Sequence, residues 1–367
     1  MEGYQSLTVL KQEKQLLLPL LLAILAFFLE HHLLDAGQIV AFISAVVLVG
    51  GILLASIRVA HHAEILAHRV GDPYGTMILT LSAVAVEVLI LAIMMHGDSA
   101  PTLVRDTIYS AVMLDINGIL GLAALLGGLK HGEQPYNDDS GKTYGVMILT
   151  AMGISMIVPE FVPDAKWTYY SAFTIFAMLA LYALFLRMQV GRHSYFFSYS
   201  YPRRATAGSE SEEESQDSLA SSIIIIVFGV VLIGVLAEFM SVLMTEGLRG
   251  SGAPPTIMAI LVAAISAAPE ILTALKAALH NRMQATVNIA MGASLSTVIL
   301  TVPVMEAIAL YTGQPFIMAM SPVQTVMIMI TLIAAAINLN DGETNAIEGM
   351  THFILFATFI MLSALGL

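Results

Sequence analysis

The chain has 367 residues, 57% of them hydrophobic and only 11% charged, with a mean hydropathy of +0.83. A soluble domain carries about 25% charged residues, so this is the composition of an integral membrane protein with lipid as a partner. A net charge of −12 speaks against a nucleic-acid partner, and the absence of cysteine removes disulfides, thiolate metal sites and cysteine nucleophiles together.

The first apolar run, Leu16 to Leu29, ends in Glu30-His31-His32 rather than in a small-residue cleavage site, so no cleavable signal peptide is expected. About 20 apolar residues are needed to cross a bilayer as a helix. That length predicts an all-α membrane protein of eleven spans, near 16–34, 38–60, 75–97, 104–129, 144–162, 168–190, 219–245, 255–280, 285–312, 317–338 and 349–366. Short polar or Gly/Pro-bearing breaks separate them, among them Gly71-Asp72-Pro73, Gly132 to Lys142 and Gly247 to Pro255. Lys and Arg concentrate in cytoplasmic loops. With the N-terminus inside, twelve of the fifteen fall inside and only Arg105, Lys166 and Arg249 outside, which also puts the C-terminus outside.

One long polar segment, Arg192 to Ser218, carries the acidic run of Glu210, Glu212, Glu213, Glu214 and Asp217. Residues 191–218 read as a solvated cytoplasmic linker, for which a cation-attracting or regulatory role stays open. The linker divides the chain into an N-terminal tail and first helix (1–36), a set of five helices (37–190) and a second set of five (219–367).

Each set carries one carboxylate deep in an apolar stretch: Glu87 within Gly75 to Gly97, and Glu270 within Thr256 to His280. A carboxylate at mid-membrane costs roughly 2.5–3.5 kcal/mol even on a lenient scale, so it marks a functional site by default. Under the topology above these two helices are antiparallel, as inverted-topology repeats demand. Placing Glu87 on Glu270 also brings Pro73-Tyr74-Gly75 near Pro254-Pro255 and, with one residue of slippage, Asp106 onto Asn288.

Pro269 cannot donate to the carbonyl of Ile265, so freed carbonyls and the Ser266 hydroxyl are expected beside Glu270. Broken helices hold cations at mid-bilayer with such groups; a plain packing kink is the alternative. Before Glu87, Thr80 and Ser82 offer the same hydroxyl chemistry. An all-oxygen site suits a hard cation such as Ca²⁺, which takes about 6–8 oxygens. Desolvation and like charge make a carboxylate pair bind protons readily as well. Two carboxylates holding either one divalent cation or two protons would constitute an exchanger.

Asp106, Asn288, Ser110, Ser294 and Ser296 are candidate secondary ligands, or interhelical hydrogen-bonding groups. Glu238 and Glu306 are expected to reach an interface, whereas Asp115 is deeper and able to line a cavity. The cluster His61, His62, Glu64 and His68 raises a membrane metal-oxidase reading, but that chemistry needs several histidine boxes and His31-His32 lies on the opposite face. A cytoplasmic helix extension with a proton-sensing or gating role, or simply a solvated helix end, is the alternative. Gly118, Gly121, Gly127 and Gly128 form small-residue faces that would pack within one protomer or between two in a homo-oligomer.

Across residues 61–88, 100–110 and 265–304, with the motifs GDPYGT and SAAPE, the chain resembles the cation/proton exchangers of the calcium/cation antiporter superfamily, closest to the bacterial ChaA-type calcium/proton antiporters. The likeness extends more loosely over nearly the full chain. It implies two inverted five-helix repeats behind an N-terminal helix, and a central Ca²⁺/H⁺ site at Glu87 and Glu270 flanked by Asp106 and Asn288. Where eukaryotic members carry Gly-Asn-x-x-Glu, this chain has Ala-Val-Ala-Val-Glu87 and Ala-Ala-Pro-Glu270. The resemblance also implies an inner-membrane transporter rather than an enzyme, with no prosthetic group. Its cargo would be Ca²⁺ against H⁺, with Na⁺ and K⁺ as the alternative to Ca²⁺.

Overall fold

The computed structural model describes residues 14–70, 74–95, 100–191, 193–200, 219–254, 256–313 and 316–367, without the side chains of 64, 67–70, 74–80, 164, 190 and 219. The acidic run 210–217, Gly71-Asp72-Pro73 and the side chains of Glu64, His68 and Thr80 therefore lie outside the described residues.

Helices overlie all the positions at which a span is expected. They are α1 (Lys14–Asp35), α2 (Gln38–Val70), α3 (Tyr74–Met95), α4 (Leu103–His131), α5 (Asp138–Phe161), α6 (Trp167–Val190) and α7 (Leu219–Leu248). They continue with α8 (Thr256–Ser266), α9 (Ala268–Leu279), α10 (Met283–Thr312), α11 (Pro322–Asn338) and α12 (Ala346–Ala364). Among the described residues, eight helices are long and apolar enough to cross a membrane, and the pair α8–α9 makes a ninth when taken as one bent span. Leu81–Met95 and Pro322–Asn338 are shorter apolar helices.

Large apolar side chains face outward, among them Phe27 (68% exposed), Phe176 (71%) and Ile337 (69%). Polar ones such as Glu87, Asp115, Asn117 and Thr301 are buried. That distribution is stable only where the surrounding solvent is itself apolar, as lipid is.

The two ends of the helix bundle are tied differently. At one end the antiparallel strands β1 (Gln134–Pro135) and β2 (Glu343–Thr344) pair, and Gln134 and Lys130 donate to the carbonyls of Ala278 and Leu279. At the other, the far end, the amide of Ile317 donates to Pro101, Thr256 to Ser363 and Gln38 to Arg249. Between these ends α3 runs in the opposite sense to α8–α9.

Three helices contain wide π-turns: Leu114–Leu120 in α4, Gly153–Ile157 in α5 and Thr297–Thr301 in α10. Pro303 accounts for the last, because it has no N–H for Ile299 and its ring crowds that carbonyl. Between α8 and α9 Pro269 does the same to Ile265, and the chain bends by 57°.

Close packing inside the bundle rests on glycines. A Cβ on Gly121 would meet His352 Cβ at 2.8 Å and the Phe353 amide at 2.9 Å, and one on Gly349 would strike the backbone of Ala124 and Leu125. Gly128 stands equally close to Ala346, and Gly127 to Gln134 and Ala278. These faces therefore pack α4 against α12, α9 and the β1 loop within one protomer. Gly349→Ala is expected to destabilise the detergent-solubilised protein by about 1–3 kcal/mol, the usual cost of overpacking. Gly145→Ala, where nothing lies within 4 Å of the added carbon, should be neutral or gain up to about 1 kcal/mol of helix propensity. Thermal unfolding followed by size-exclusion fluorescence compares the two.

Candidate ion-binding site

Glu87 enters from α3, Asp115 from the π-turn of α4, Glu270 from the first turn of α9, and Thr297 from the π-turn of α10. All four line one cavity of about 810 Å³, together with Ser82, Ser266, Asn288 and Ser296. His61, Gln189, Phe197 and Lys276 also border it, which places its mouth at the β1–β2 end of the bundle.

Glu87 is 3% exposed and Asp115 2%, whereas Glu270 is half-buried. The hydroxyls of Thr297 and Thr301 donate to Glu87 Oε2 at 3.0 and 3.3 Å, and Ser294 donates to Asp115 Oδ2 at 3.1 Å. Each buried carboxylate thus has one oxygen held. The other, Glu87 Oε1 and Asp115 Oδ1, has no hydrogen-bond partner among the described residues. An orphaned buried acceptor costs about 1–3 kcal/mol, more when charged. Glu87, Asp115 and Glu270 are also near enough to act on one another electrostatically.

The wide turn in α10 explains why the threonines face Glu87. In a regular helix a threonine hydroxyl readily bonds the carbonyl four residues back, as those of Thr150, Thr174, Thr245 and Thr312 do here. Thr297 and Thr301 instead turn to the carboxylate across the helix interface. All these groups are oxygen donors, the set a hard cation or a proton takes. They do not converge on a point: among the described residues no three His, Asp or Glu side chains are grouped to hold a metal ion.

Of the residues singled out in the sequence, Glu87, Glu270, Asp115, Ser82, Ser266, Asn288, Ser296 and His61 meet at this cavity. The Ser266 hydroxyl donates to Ala263 at 3.0 Å, not to a carboxylate. Asn288 accepts from Gln284 and donates to the Phe197 carbonyl.

Asp106 is elsewhere. Its Oδ1 takes Arg105 at 2.7 Å and Gln324 at 2.8 Å near the far end, tying the start of α4 to α11. Nine residues further along the same helix, roughly 13 Å, Asp115 occupies the position that the cavity uses. Ser110 bonds the Asp106 carbonyl of its own helix. Glu238 is exposed, whereas Glu306, for which an interface was expected, is 1% exposed inside the bundle.

His62 is fully buried between α2 and α7. Arg58 can only donate to its Nε2, at 3.2 Å, so Nδ1 carries the hydrogen and donates to Ser222 at 3.3 Å. His62 is thereby an interhelical tie, whereas neighbouring His61 faces the cavity mouth.

Residues 39–191 and 221–365 match the family model described as "Sodium/calcium exchanger protein". The chain is 34% identical over 356 residues to the sodium-potassium/proton antiporter ChaA of Escherichia coli, covering 95% of this chain and 96% of that one. It is 23% identical to the Ca²⁺/H⁺ antiporter ChaA of Bacillus subtilis, over 88% of this chain and 91% of that one. The solved structure of native YfkE superposes with a TM-score of 0.76 at 16% identity, covering 96% and 99% of the two chains. That of the H⁺/Ca²⁺ exchanger CAX gives 0.60 at 16% identity, over 98% and 88%.

The cavity lining includes Asp115 beside Glu87 and Glu270 and leaves Asp106 out. A saturating divalent cation should raise the melting temperature of the wild type, because a ligand that binds only the folded state stabilises it by mass action. In Asp115→Asn that rise should shrink to less than half. In Asp106→Asn it should persist, whatever the starting stability, when thermal unfolding is followed through a cation titration.

Proposed function

Because the chain belongs to the sodium/calcium exchanger family, we propose that it is a secondary antiporter that expels Ca²⁺ in exchange for H⁺ by alternating access. The observation that carries this reading is that Glu87 and Glu270, one from each half of the chain, face a single cavity beside Asp115.

Charge dictates the cycle. A divalent cation neutralises two carboxylates, and so do two protons. Either loaded state carries two fewer negative charges into the low-dielectric interior than the empty state, which with Glu87, Glu270 and Asp115 all ionised is the hardest to enclose. Occupancy by one ion therefore excludes the other and couples their flows. The oxygens left unpartnered on Glu87 and Asp115 are the natural contacts for the cargo. Thr297, Thr301 and Ser294 keep the opposite oxygens fixed.

On this reading the architecture is eleven spans, an N-terminal helix (1–36) followed by two inverted repeats (37–190 and 219–367) joined by the 191–218 linker. Two separations support it: Glu87 to Glu270 and the start of the α4 π-turn to that of α10, 270 minus 87 and 297 minus 114, are both 183 residues. The N-terminus and the cavity mouth are cytoplasmic, the C-terminus is outside, and the protein resides in an inner membrane. His61, at the mouth, is placed to sense cytoplasmic protons.

A second reading, a Na⁺(K⁺)/H⁺ antiporter using the same carboxylates, is favoured by one observation. The Escherichia coli relative with that name is more similar in sequence than the Bacillus subtilis Ca²⁺/H⁺ antiporter.

The deciding experiment is Ca²⁺ uptake into inverted membrane vesicles with an acid interior, with Na⁺ tested in parallel by proton-linked dye dequenching. Ca²⁺ uptake that needs the pH gradient, and that Glu87→Gln and Glu270→Gln each reduce at least a hundredfold, is the expected result. Dequenching by Na⁺ with no response to Ca²⁺ would select the second reading, and normal transport by either variant would remove that residue from the site. The pH dependence has a definite sign. Protons compete for the carboxylates, so acidifying the Ca²⁺-loading side raises the concentration needed for half-maximal uptake.

A further inference from the structure

Beyond the cavity the same helix carries one more buried carboxylate. Glu306 lies five residues past Thr301 in α10, roughly 7.5 Å further toward the far end, and is 1% exposed. It is not part of the cavity lining. Neither of its oxygens has a hydrogen-bond partner among the described residues. Opposite it on α6 stands Ser171, 1% exposed, whose hydroxyl is likewise unpartnered among the described residues, close enough to interact with the carboxylate but short of hydrogen-bond geometry.

The outer half of α10 packs against α6 and α3. From α6 the titratable group facing Glu306 is Tyr170, whose hydroxyl is already donated to the Ile154 carbonyl at 2.6 Å. Between Leu81 and Met95 α3 contributes only one titratable side chain, Glu87 itself. No described cation acts on Glu306, and Arg105, at the start of α4, is committed to Asp106 and the Ala319 carbonyl.

A carboxylate in such a place has two uses. It is a poor site for a divalent cation, since one carboxylate and one hydroxyl fall far short of about 6–8 oxygens. It is a good site for a proton, because a lone buried carboxyl group is neutral when protonated and needs no counter-ion. Its position is also informative. The cavity opens at the β1–β2 end and stops at Glu87 and Thr297, so Glu306 stands on the closed side, between the central site and the far face.

We propose that Glu306, assisted by Ser171, is a proton-accepting station through which protons pass between the far face and the central carboxylates. The step is a proton transfer only: the carboxylate takes a proton arriving from the far face and, on reprotonating Glu87 or Asp115, returns to its ionised form. The inference rests on the exchanger reading above and concerns a residue outside its cation site.

The test uses the full chain in proteoliposomes, with the pH titrated separately on each side while Ca²⁺ or Na⁺ flux is followed. Glu306→Gln should shift the far-side pH profile by about one unit or more, tenfold in proton activity, while the cavity-side profile and equilibrium Ca²⁺ binding stay within about twofold of wild type. Glu306→Asp should recover most of the far-side response, and Ser171→Ala should shift it less than Glu306→Gln. A Glu306→Gln protein with wild-type profiles on both sides overturns the inference and leaves the exchanger reading intact. If Glu306→Gln does not fold, Ser171→Ala decides, and an unchanged far-side profile there overturns the proposal. A wild type without proton-coupled flux overturns the exchanger reading and this inference with it.

Discussion

The constraint on which the structure turns is the cost of holding carboxylates where there is no water to solvate them. The chain meets it partly and stops. Thr297, Thr301 and Ser294 hydrogen-bond one oxygen of Glu87 or Asp115 and leave the other bare. A structural carboxylate would have both oxygens satisfied, as nearly all buried polar groups do. Asp106 differs by its partners: three hydrogen bonds from Arg105 and Gln324 converge on its Oδ1, pairing its charge with a guanidinium and fixing it between two helices. The contrast between Asp106 and Asp115, on one helix and nine residues apart, separates a group that holds two helices together from one that lines the cavity with an oxygen unpartnered among the described residues.

That readiness depends on irregular backbone. A straight helix directs its hydroxyls back onto its own carbonyls, and several of the serines and threonines on these helices do this. The π-turn at Thr297–Thr301, enforced by Pro303, and the 57° bend at Ala267, enforced by Pro269, occur where α10 and α9 meet the cavity. The Leu114–Leu120 π-turn carries Asp115 into the same space without any proline. The glycine contacts of α4 with α12 hold that helix from behind, so its irregular turn is stabilised by backbone packing on one side and faces the cavity with the other.

Much of this was legible in the sequence, for an identifiable reason. Glu87 and Glu270 stand out because an ionisable residue inside an apolar run has few structural explanations, and Pro269 marks a break without further context. The register of a helix against its neighbours is different: it depends on which face packs where, and a uniformly apolar span has no polar stripe to report it. Hence the sequence offered both Asp106, as a flanking ligand, and Asp115, as a residue able to line a cavity, and only the packing separates them: Asp115 is in the cavity and Asp106 is not. Hence too Glu306 was expected at an interface and is buried. Thr297 and Thr301 gave no sign, because a threonine in a spanning helix ordinarily serves its own backbone. The proline two residues beyond Thr301 was the available signal, and it takes on meaning only beside the carboxylate it helps to serve.

The open arrangement of the carboxylates bears on how such a site can choose an ion. Three acidic side chains share one cavity, yet among the described residues no three His, Asp or Glu side chains are gathered about one point. A small hard cation needs its oxygens at about 2.3–2.6 Å all round, so water must complete its shell while the cavity is this wide. On the exchanger reading, discrimination then belongs to the enclosed state, in which water is shed and the oxygens that remain decide the fit. Differential affinity between open and enclosed states is the only means by which a ligand can drive the change between them. Two relatives of this chain bear the names of different cations, and the exchanger reading accommodates both: on it the charged pair sets the coupling to protons, and the neutral oxygens around it set the cargo.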